Sequence, residues 1–314
     1  MDVVTIGESM AVFTPTSVGL MRQATTFTMR IGGRESNVAV GLARLGHRVG
    51  WISKVGSDEF GKAILSFLKG EGVDVSRVKW MGNTDRHLLK EQRRLNDTRV
   101  YYYRKGSAAS RLTPADLDEK YIAEAKYLHI TGITPALSEN CRDTVFAAMA
   151  MARRHGVKIV FDPNLRLKLW NEADRAKEVM LRMAAESDVV LPGEAEASFL
   201  FGKHSVEEWG SRLLDMGASL VVIKLGANGA HYFTNAHHEY VQGFLLKGYD
   251  PVGAGDGFVE GYPDCLKDFV LTEAVQRANA VGALVTMVEG DADGMPERDD
   301  VERLINQRRK MLRR

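Results

Sequence analysis

Short apolar runs of strand length alternate with helix-length amphipathic stretches through most of this chain. Val3–Gly7, Trp51–Val55, Tyr127–Ile130, Val157–Phe161, Val189–Leu191 and Leu220–Lys224 read as strands. Glu35–Leu45, Glu59–Lys69, Cys141–His155, Gly255–Leu266, Glu273–Val288 and Asp299–Leu312 read as helices. Gly46 and Gly156 stand just past two of those helices, where a left-handed residue closes the last turn. Strands joined through helices run parallel, so the alternation predicts an α/β fold with a mostly parallel central sheet. Ligands in such a sheet sit outside the carboxyl ends of the strands. The residues just past each strand are therefore the ones to read for chemistry.

Two stretches break the alternation. Met10–Met29 mixes Thr, Phe and Val without helical periodicity. Leu88–Arg104 sets the polar turn Leu95-Asn-Asp-Thr98 between β-prone runs, which reads as a hairpin ending in Val100-Tyr-Tyr-Tyr-Arg104. Together they predict a small β layer on the α/β body, with lid segments at about 10–29 and 88–104. No repeat, low-complexity tract or linker divides the chain, so 1–314 reads as a single domain.

Composition narrows the function classes. Lys and Arg total 42 against 41 Asp and Glu, for a net charge of +1, which supplies no attraction to nucleic acid or an anionic membrane. The basic end, Gln307-Arg-Arg-Lys-Met-Leu-Arg-Arg314, suits a helix C-terminus. No apolar run approaches the roughly 18 residues of a membrane span. The segment Met1-Asp-Val-Val-Thr-Ile-Gly7 lacks the pattern of a signal peptide. Cys141 and Cys265 form no disulfide framework or CxxC pair, and the eight histidines show no metal-ligand spacing; His237-His238 reads as a loop. These features predict a cytoplasmic protein with reduced thiols and no nucleic-acid or membrane partner.

The stretch Asp250-Pro-Val-Gly-Ala-Gly-Asp256-Gly-Phe258 combines a turn that lets backbone approach a ligand, a helix start that favours an anion, and a carboxylate able to take a proton. Phosphoryl transfer needs those parts, although an Asp in a loop before a helix is also common. Gly32-Gly33 before Arg34-Glu-Ser-Asn37 permits close ligand approach, and Asn37 offers a donor and an acceptor to sugar hydroxyls; a capped helix start is the plainer alternative. Asp162-Pro-Asn-Leu-Arg166 follows a strand, and Arg166 is either a bidentate carboxylate binder or an ordinary surface arginine. In Leu191-Pro-Gly-Glu-Ala-Glu196 the acids complement a helix dipole or orient a water-coordinated Mg²⁺. Lys224-Leu-Gly-Ala-Asn-Gly229 suits a turn bordering a nucleotide, or Lys224 is only a strand-end charge. Strand alternation places Tyr102 and Arg104 on one face, opposite Tyr101 and Tyr103, so one pair can cover a substrate while the other packs.

In this order and placement, the early Gly32-Gly33 pair and the late Gly253-Ala-Gly-Asp256 resemble the two signature regions of the ribokinase-like (PfkB) carbohydrate kinases, over nearly the whole chain. Within that family the likeness is strongest to the group acting on 2-keto-3-deoxygluconate. It rests on Glu35-Ser-Asn37, Val100–Ser110, Asp162–Arg166, Asp250–Asp256, Gly290-Asp291 and Gly294-Met-Pro296. The resemblance implies a three-layer α/β body with a β lid, ATP and Mg²⁺ as cofactors, a small sugar acid as substrate, and a homo-oligomer assembled through the lid. Asp256 would be the general base, and backbone N–H groups of Gly253, Ala254, Gly255 and Asp256 the anion hole. Arg166, Tyr102 and Arg104 would hold the acid sugar, with Gly33, Asn37 and Asp250 lining its site. Lys224, Gly226 and Gly229, with Gly253 and Gly255, would border ATP, and Glu196 would act on Mg²⁺ through water.

Several residues depart from that pattern. Gly193 stands where the Asn of an Asn-x-x-Glu motif is expected, and Arg34 replaces a small residue, where it can reach the acid group or crowd the sugar site. Leu88 replaces an aromatic contact, and Glu260 and Pro263 interrupt what should be a close-packed apolar helix. A fructokinase- or ribokinase-like enzyme, and a binding protein with impaired catalysis, are the alternatives these departures leave open.

Overall fold

The computed structural model describes residues 1–82, 87–92, 98–246, 258, 271–288, 290 and 292–312. From the N-terminus, β1 (Val3–Ile6), β2 (Met10–Pro15) and β3 (Phe27–Gly32) lead into helix α1 (Arg34–Arg44). There follow β4 (Val49–Ile52), β5 (Lys54–Gly56), α2 (Glu59–Gly70), β6 (Lys79–Met81), β7 (His87–Gln92) and β8 (Thr98–Tyr103). Next come α3 (Glu119–Ala123), β9 (Tyr127–Thr131), α4 (Thr134–Leu137), α5 (Glu139–Arg154) and β10 (Lys158–Asp162). Then α6 (Ala173–Ala185), β11 (Val189–Val190), α7 (Glu194–Phe201), α8 (Val206–Asp215) and β12 (Leu220–Lys224) lead to the hairpin β13 (Gly229–Phe233) and β14 (His238–Gln242). Helices α9 (Leu271–Val285) and α10 (Arg298–Leu312) complete the described chain.

The main sheet has eight strands in the order β14-β13-β12-β11-β10-β9-β1-β4. The six from β12 to β4 are parallel, and the β13–β14 hairpin is antiparallel at one edge. Strand alternation sorts its side chains to two faces. Val3, Val160, Val189 and Val222 join a core cluster with α1, α2 and α9, whereas Val4, Phe161, Val190 and Ile223 join a second with α5, α6, α7 and α8. Each fully buried Val, Leu, Ile or Phe contributes roughly 1.5–3 kcal/mol, so both helical layers are held by the sheet. This is the mostly parallel arrangement that the alternation predicts, in the three layers that the resemblance implies. Among the described residues no helix is long and apolar enough to cross a membrane.

A second sheet of four strands has the order β3-β2-β7-β8. It joins the two stretches that break the sequence rhythm, and β7–β8 is the expected hairpin, with Leu88 opposite Tyr102. Elsewhere the structure refines the sequence reading. The Trp51–Val55 run is divided at Ser53, whose hydroxyl donates to the Gly7 carbonyl while its own carbonyl accepts from Lys79 N. The chain thereby leaves β1 as partner and joins β6. His237 lies in a turn as expected, but His238 opens β14. The expected helix at Gly255–Leu266, with Glu260 and Pro263, lies outside the described residues apart from Phe258, which is buried in the first core cluster.

Candidate active site

The parallel strand ends and the start of α1 meet at one edge of the sheet. Gly33 has extended backbone (φ 171°), so its lack of a side chain matters for closeness: a Cβ there would lie 2.3 Å from the Glu8 carbonyl oxygen. A Cβ on Gly7 would lie 2.2 Å from Cδ of Glu35. These two glycines let the first turn of α1 sit directly on the crossing from β1 to β2. Asn37 accepts from Gly33 N through Oδ1 at 3.2 Å, so its carbonyl closes that first turn.

Arg34 and Glu35 tie this turn to two strand ends. Arg34 Nε donates to Asp162 Oδ2 at 2.9 Å, and its Nη2 donates to the same oxygen. Lys224 Nζ, at the end of β12, donates to Asp162 Oδ1 at 2.7 Å. Asp162 is fully buried, and burial alone would raise its pKa, but Arg34 and Lys224 together hold the carboxyl well below the ordinary carboxylate range. Arg34, whose sequence position allows it to reach the acid group or crowd the sugar site, binds Asp162 through both Nε and Nη2. Glu35 Oε1 accepts from the hydroxyls of Thr131, the last residue of β9, at 2.6 Å and Thr134, just past it, at 2.8 Å. Its Oε2 has no hydrogen-bond partner among the described residues, and burial raises its pKa. His129, in β9 behind the same edge, is pushed down to about 3 by burial, and its Nδ1 lies 2.9 Å from Thr5 Oγ1.

The second sheet meets the body through Glu8. Arg104, immediately past β8, forms an ion pair with Glu8, and Ser107 Oγ donates to the same carboxylate. The Arg104 guanidinium lies 5.6 Å from the Tyr102 ring centroid, as their common strand face predicts. Arg104 Nε is buried without a hydrogen-bond partner among the described residues, a donor still open to a ligand. The sequence pattern does not single out Glu8 or Ser107. The signal was present for Glu8, which lies two residues past the end of β1.

On the other side, Asn164 adopts a left-handed backbone (φ 35°) just past β10, and its Oδ1 is buried without a partner among the described residues. Glu196 joins this loop to α7, its Oε1 accepting from Leu165 N at 2.9 Å and its Oε2 from Gly193 N at 2.7 Å. With both oxygens bound to backbone N–H groups, Glu196 suits an outer-sphere contact to a hydrated cation better than direct ligation. Arg166 is exposed and forms no ion pair among the described residues. Gly226 and Gly229 both have positive φ, 59° and 112°, and a Cβ on Gly229 would lie 2.1 Å from the Val241 carbonyl oxygen. The tight turn after Lys224 therefore requires glycine. Asp250, Gly253, Ala254, Gly255 and Asp256 lie outside the described residues.

The structure thus brings Arg34, Asp162 and Lys224 into direct contact, and Tyr102, Arg104 and Glu8 into another group. Arg166 shares no hydrogen bond or ion pair with either. The fold is similar to that of a solved E. coli protein described as a ribokinase II in complex with ATP and Mg²⁺. It superposes with a TM-score of 0.90 at 26% identity, covering 98% of this chain and 99% of that one. The architecture is that of the ribokinase-like α/β kinases. The family described as "pfkB family carbohydrate kinase" matches residues 1–298. A 2-dehydro-3-deoxygluconokinase of Bacillus subtilis (strain 168) is 42% identical over 313 residues, 98% of this chain and 97% of that protein. Fructokinase-2 of Solanum lycopersicum is 32% identical over 314 residues, 96% of this chain and 95% of that protein. The chain belongs to the pfkB family of carbohydrate kinases, and it is a sugar kinase.

Proposed function

We propose that this kinase phosphorylates 2-keto-3-deoxygluconate (2-dehydro-3-deoxygluconate) at its terminal hydroxyl, giving 2-keto-3-deoxy-6-phosphogluconate. The observation that carries the acid substrate is the contrast among the site's cations. Arg34 and Lys224 are bound to Asp162 and Arg104 is paired with Glu8, whereas Arg166 is exposed with no ion pair among the described residues. A guanidinium in that state at the carboxyl end of β10 is suited to a carboxylate on the incoming sugar. The 42% identity to a 2-dehydro-3-deoxygluconokinase supports the same substrate.

In this reading Gly33, Asn37, Asp250, Tyr102 and Arg104 line the sugar site. The Asp256 carboxylate accepts the proton of the terminal hydroxyl as its oxygen bonds to the γ-phosphorus of ATP and the bridging P–O bond to ADP breaks. Backbone N–H groups of Gly253, Ala254, Gly255 and Asp256 stabilise the transferring group. Lys224, Gly226 and Gly229 border the nucleotide. Mg²⁺ would supply charge neutralisation at the phosphates, with Glu196 holding its water shell. The single domain closes its lid over the sugar. Exposed Phe27, Met29 and Tyr103 on that sheet offer an apolar surface for a homo-oligomer. The reaction is assigned to the cytoplasm, where ATP is supplied.

A neutral-sugar kinase is the second reading. It is favoured by the 32% identity to a fructokinase and by the Glu8–Arg104 pair, which removes one guanidinium from the acid-sugar argument. ATP consumption with 2-keto-3-deoxygluconate, fructose and ribose decides between them. Preference for the acid, with Arg166→Ala raising its KM about tenfold or more while leaving fructose turnover unchanged, supports the proposal. Preference for fructose in the wild type sinks it. Asp256→Asn is expected to lower kcat by about 10²–10⁴-fold with any sugar, and an unchanged rate would remove Asp256 from the base role.

A further inference from the structure

The β13–β14 hairpin carries ligand atoms that the kinase reaction does not use. Phe233 pairs with His238 and His231 with Tyr240 across the ladder, so the two histidines are diagonal neighbours on one face. His231 Nδ1 lies 2.9 Å from His238 Nε2. The His238 ring stacks on Phe233 with centroids 4.2 Å apart and planes 14° apart, which fixes its direction.

Helix α8 packs over this face. Gly210 is buried, and a Cβ there would lie 2.6 Å from the Phe233 ring, so glycine brings the helix close to the hairpin. Glu207 sits one turn earlier on the same side of α8. One ligand atom from each of Glu207, His231 and His238 lies within 4.8 Å of the other two.

We propose that Glu207, His231 and His238 form a binding site for a divalent transition-metal ion. Two imidazole nitrogens and a carboxylate oxygen favour Zn²⁺, Co²⁺, Ni²⁺ or Cu²⁺ over the hard cations Mg²⁺ and Ca²⁺. The chemistry therefore differs from that of the metal accompanying ATP. Adjacent ligands at right angles with bonds of about 2.1 Å stand about 3.0 Å apart, and tetrahedral ones about 3.4 Å. The 2.9 Å nitrogen separation matches the first and needs only a small opening for the second. Glu207 and His238 are exposed, so the ion enters from solvent and water completes its coordination. Once bound, it joins the edge hairpin to α8. That hairpin begins at Gly229, so the ion also anchors the strand that leaves the Gly226–Asn228 turn.

The test is calorimetric titration of Zn²⁺ alone into the chelator-stripped, full-length protein. One ion per chain is expected at this site. His231→Gln and His238→Gln are each expected to weaken its affinity about tenfold or more, and Glu207→Gln by a smaller factor. His237→Gln, at the exposed turn beside the cluster, is expected to leave affinity unchanged. Glu207→Gln and His238→Gln alter exposed side chains, so they decide the matter even where His231→Gln fails the folding check by circular dichroism. No zinc uptake by the wild type, or unchanged affinity in both His238→Gln and Glu207→Gln, would overturn the proposal.

Discussion

Arg34 and Glu35 are neighbours in the first turn of α1, yet they join the sheet by opposite electrostatic means. Arg34 reaches across to β10, where Asp162 stays ionised between two cations. Glu35 reaches the end of β9, where two threonine hydroxyls donate to its carboxyl, which forms no ion pair among the described residues and feels the Arg104 charge only as the smallest contribution. Both carboxyls are fully buried. Their pKa values move in opposite directions because the partners differ, with burial common to both. Burial alone does not set the charge of a strand-end carboxyl. A kinase site, which must hold an anionic phosphoryl group, depends on such distinctions.

The widest separation between the two regions is expected on deleting charge. Asp162→Asn removes the buried carboxylate that Arg34 and Lys224 share, and is expected to cost about 3–5 kcal/mol of stability. Glu35→Gln replaces a carboxyl whose raised pKa favours its neutral form by a neutral isostere that can still accept from both hydroxyls, at about 1 kcal/mol or less. Urea denaturation of the two variants measures both. Equal losses would show that Glu35 is also ionised and that the contrast is false.

Much of this frame was legible in the sequence, and its cross-chain contacts were not. The strands of the parallel sheet and the β7–β8 hairpin announced themselves through apolar runs and turn residues. Asp162 and Lys224 were visible as strand-end groups, but the contacts that join Asp162 to Arg34 and to Lys224 span 128 and 62 positions. Glu8 carries no local signal for its pairing with Arg104. The β13–β14 hairpin escaped because its alternating positions hold His231, His238 and Tyr240, too polar for an apolar pattern to register. Helix α8 did carry a sign, the Ser205-x-x-Glu208 capping box.

Acid should sharpen the comparison from behind the site. His129 is held neutral by burial, with its pKa lowered to about 3. The unfolded chain takes up a proton near the ordinary histidine value of about 6.5, which the folded protein refuses. Its contribution is therefore present above that pH and is lost as pH falls toward 3, by about 1.4 kcal/mol per unit at most. Asp162 acts in the same direction at lower pH, below the ordinary aspartate value of about 3.9. His129→Gln should flatten the stability profile between pH 6 and 4, leaving the steeper fall below that range. A profile unchanged by the substitution would mean that His129 is solvated enough to titrate normally.

Glu35 should produce the smallest effect, and the one of opposite sign. Its folded pKa is raised, so the folded protein retains a proton that the unfolded chain releases near the ordinary glutamate value of about 4.3. Its contribution is fully present below that pH and is lost as pH rises toward the folded value. Glu35→Gln carries no proton to lose. The stability of the variant relative to the wild type should therefore increase with pH above about 4.3 and level off once Glu35 ionises in the folded state. Urea midpoints of the two proteins across pH 4–8 follow this difference directly. A difference that stays constant across the range would place the Glu35 pKa at its unfolded value. A difference that falls would make Glu35 an ionised group like Asp162, and the two ends of this turn would then obey one rule.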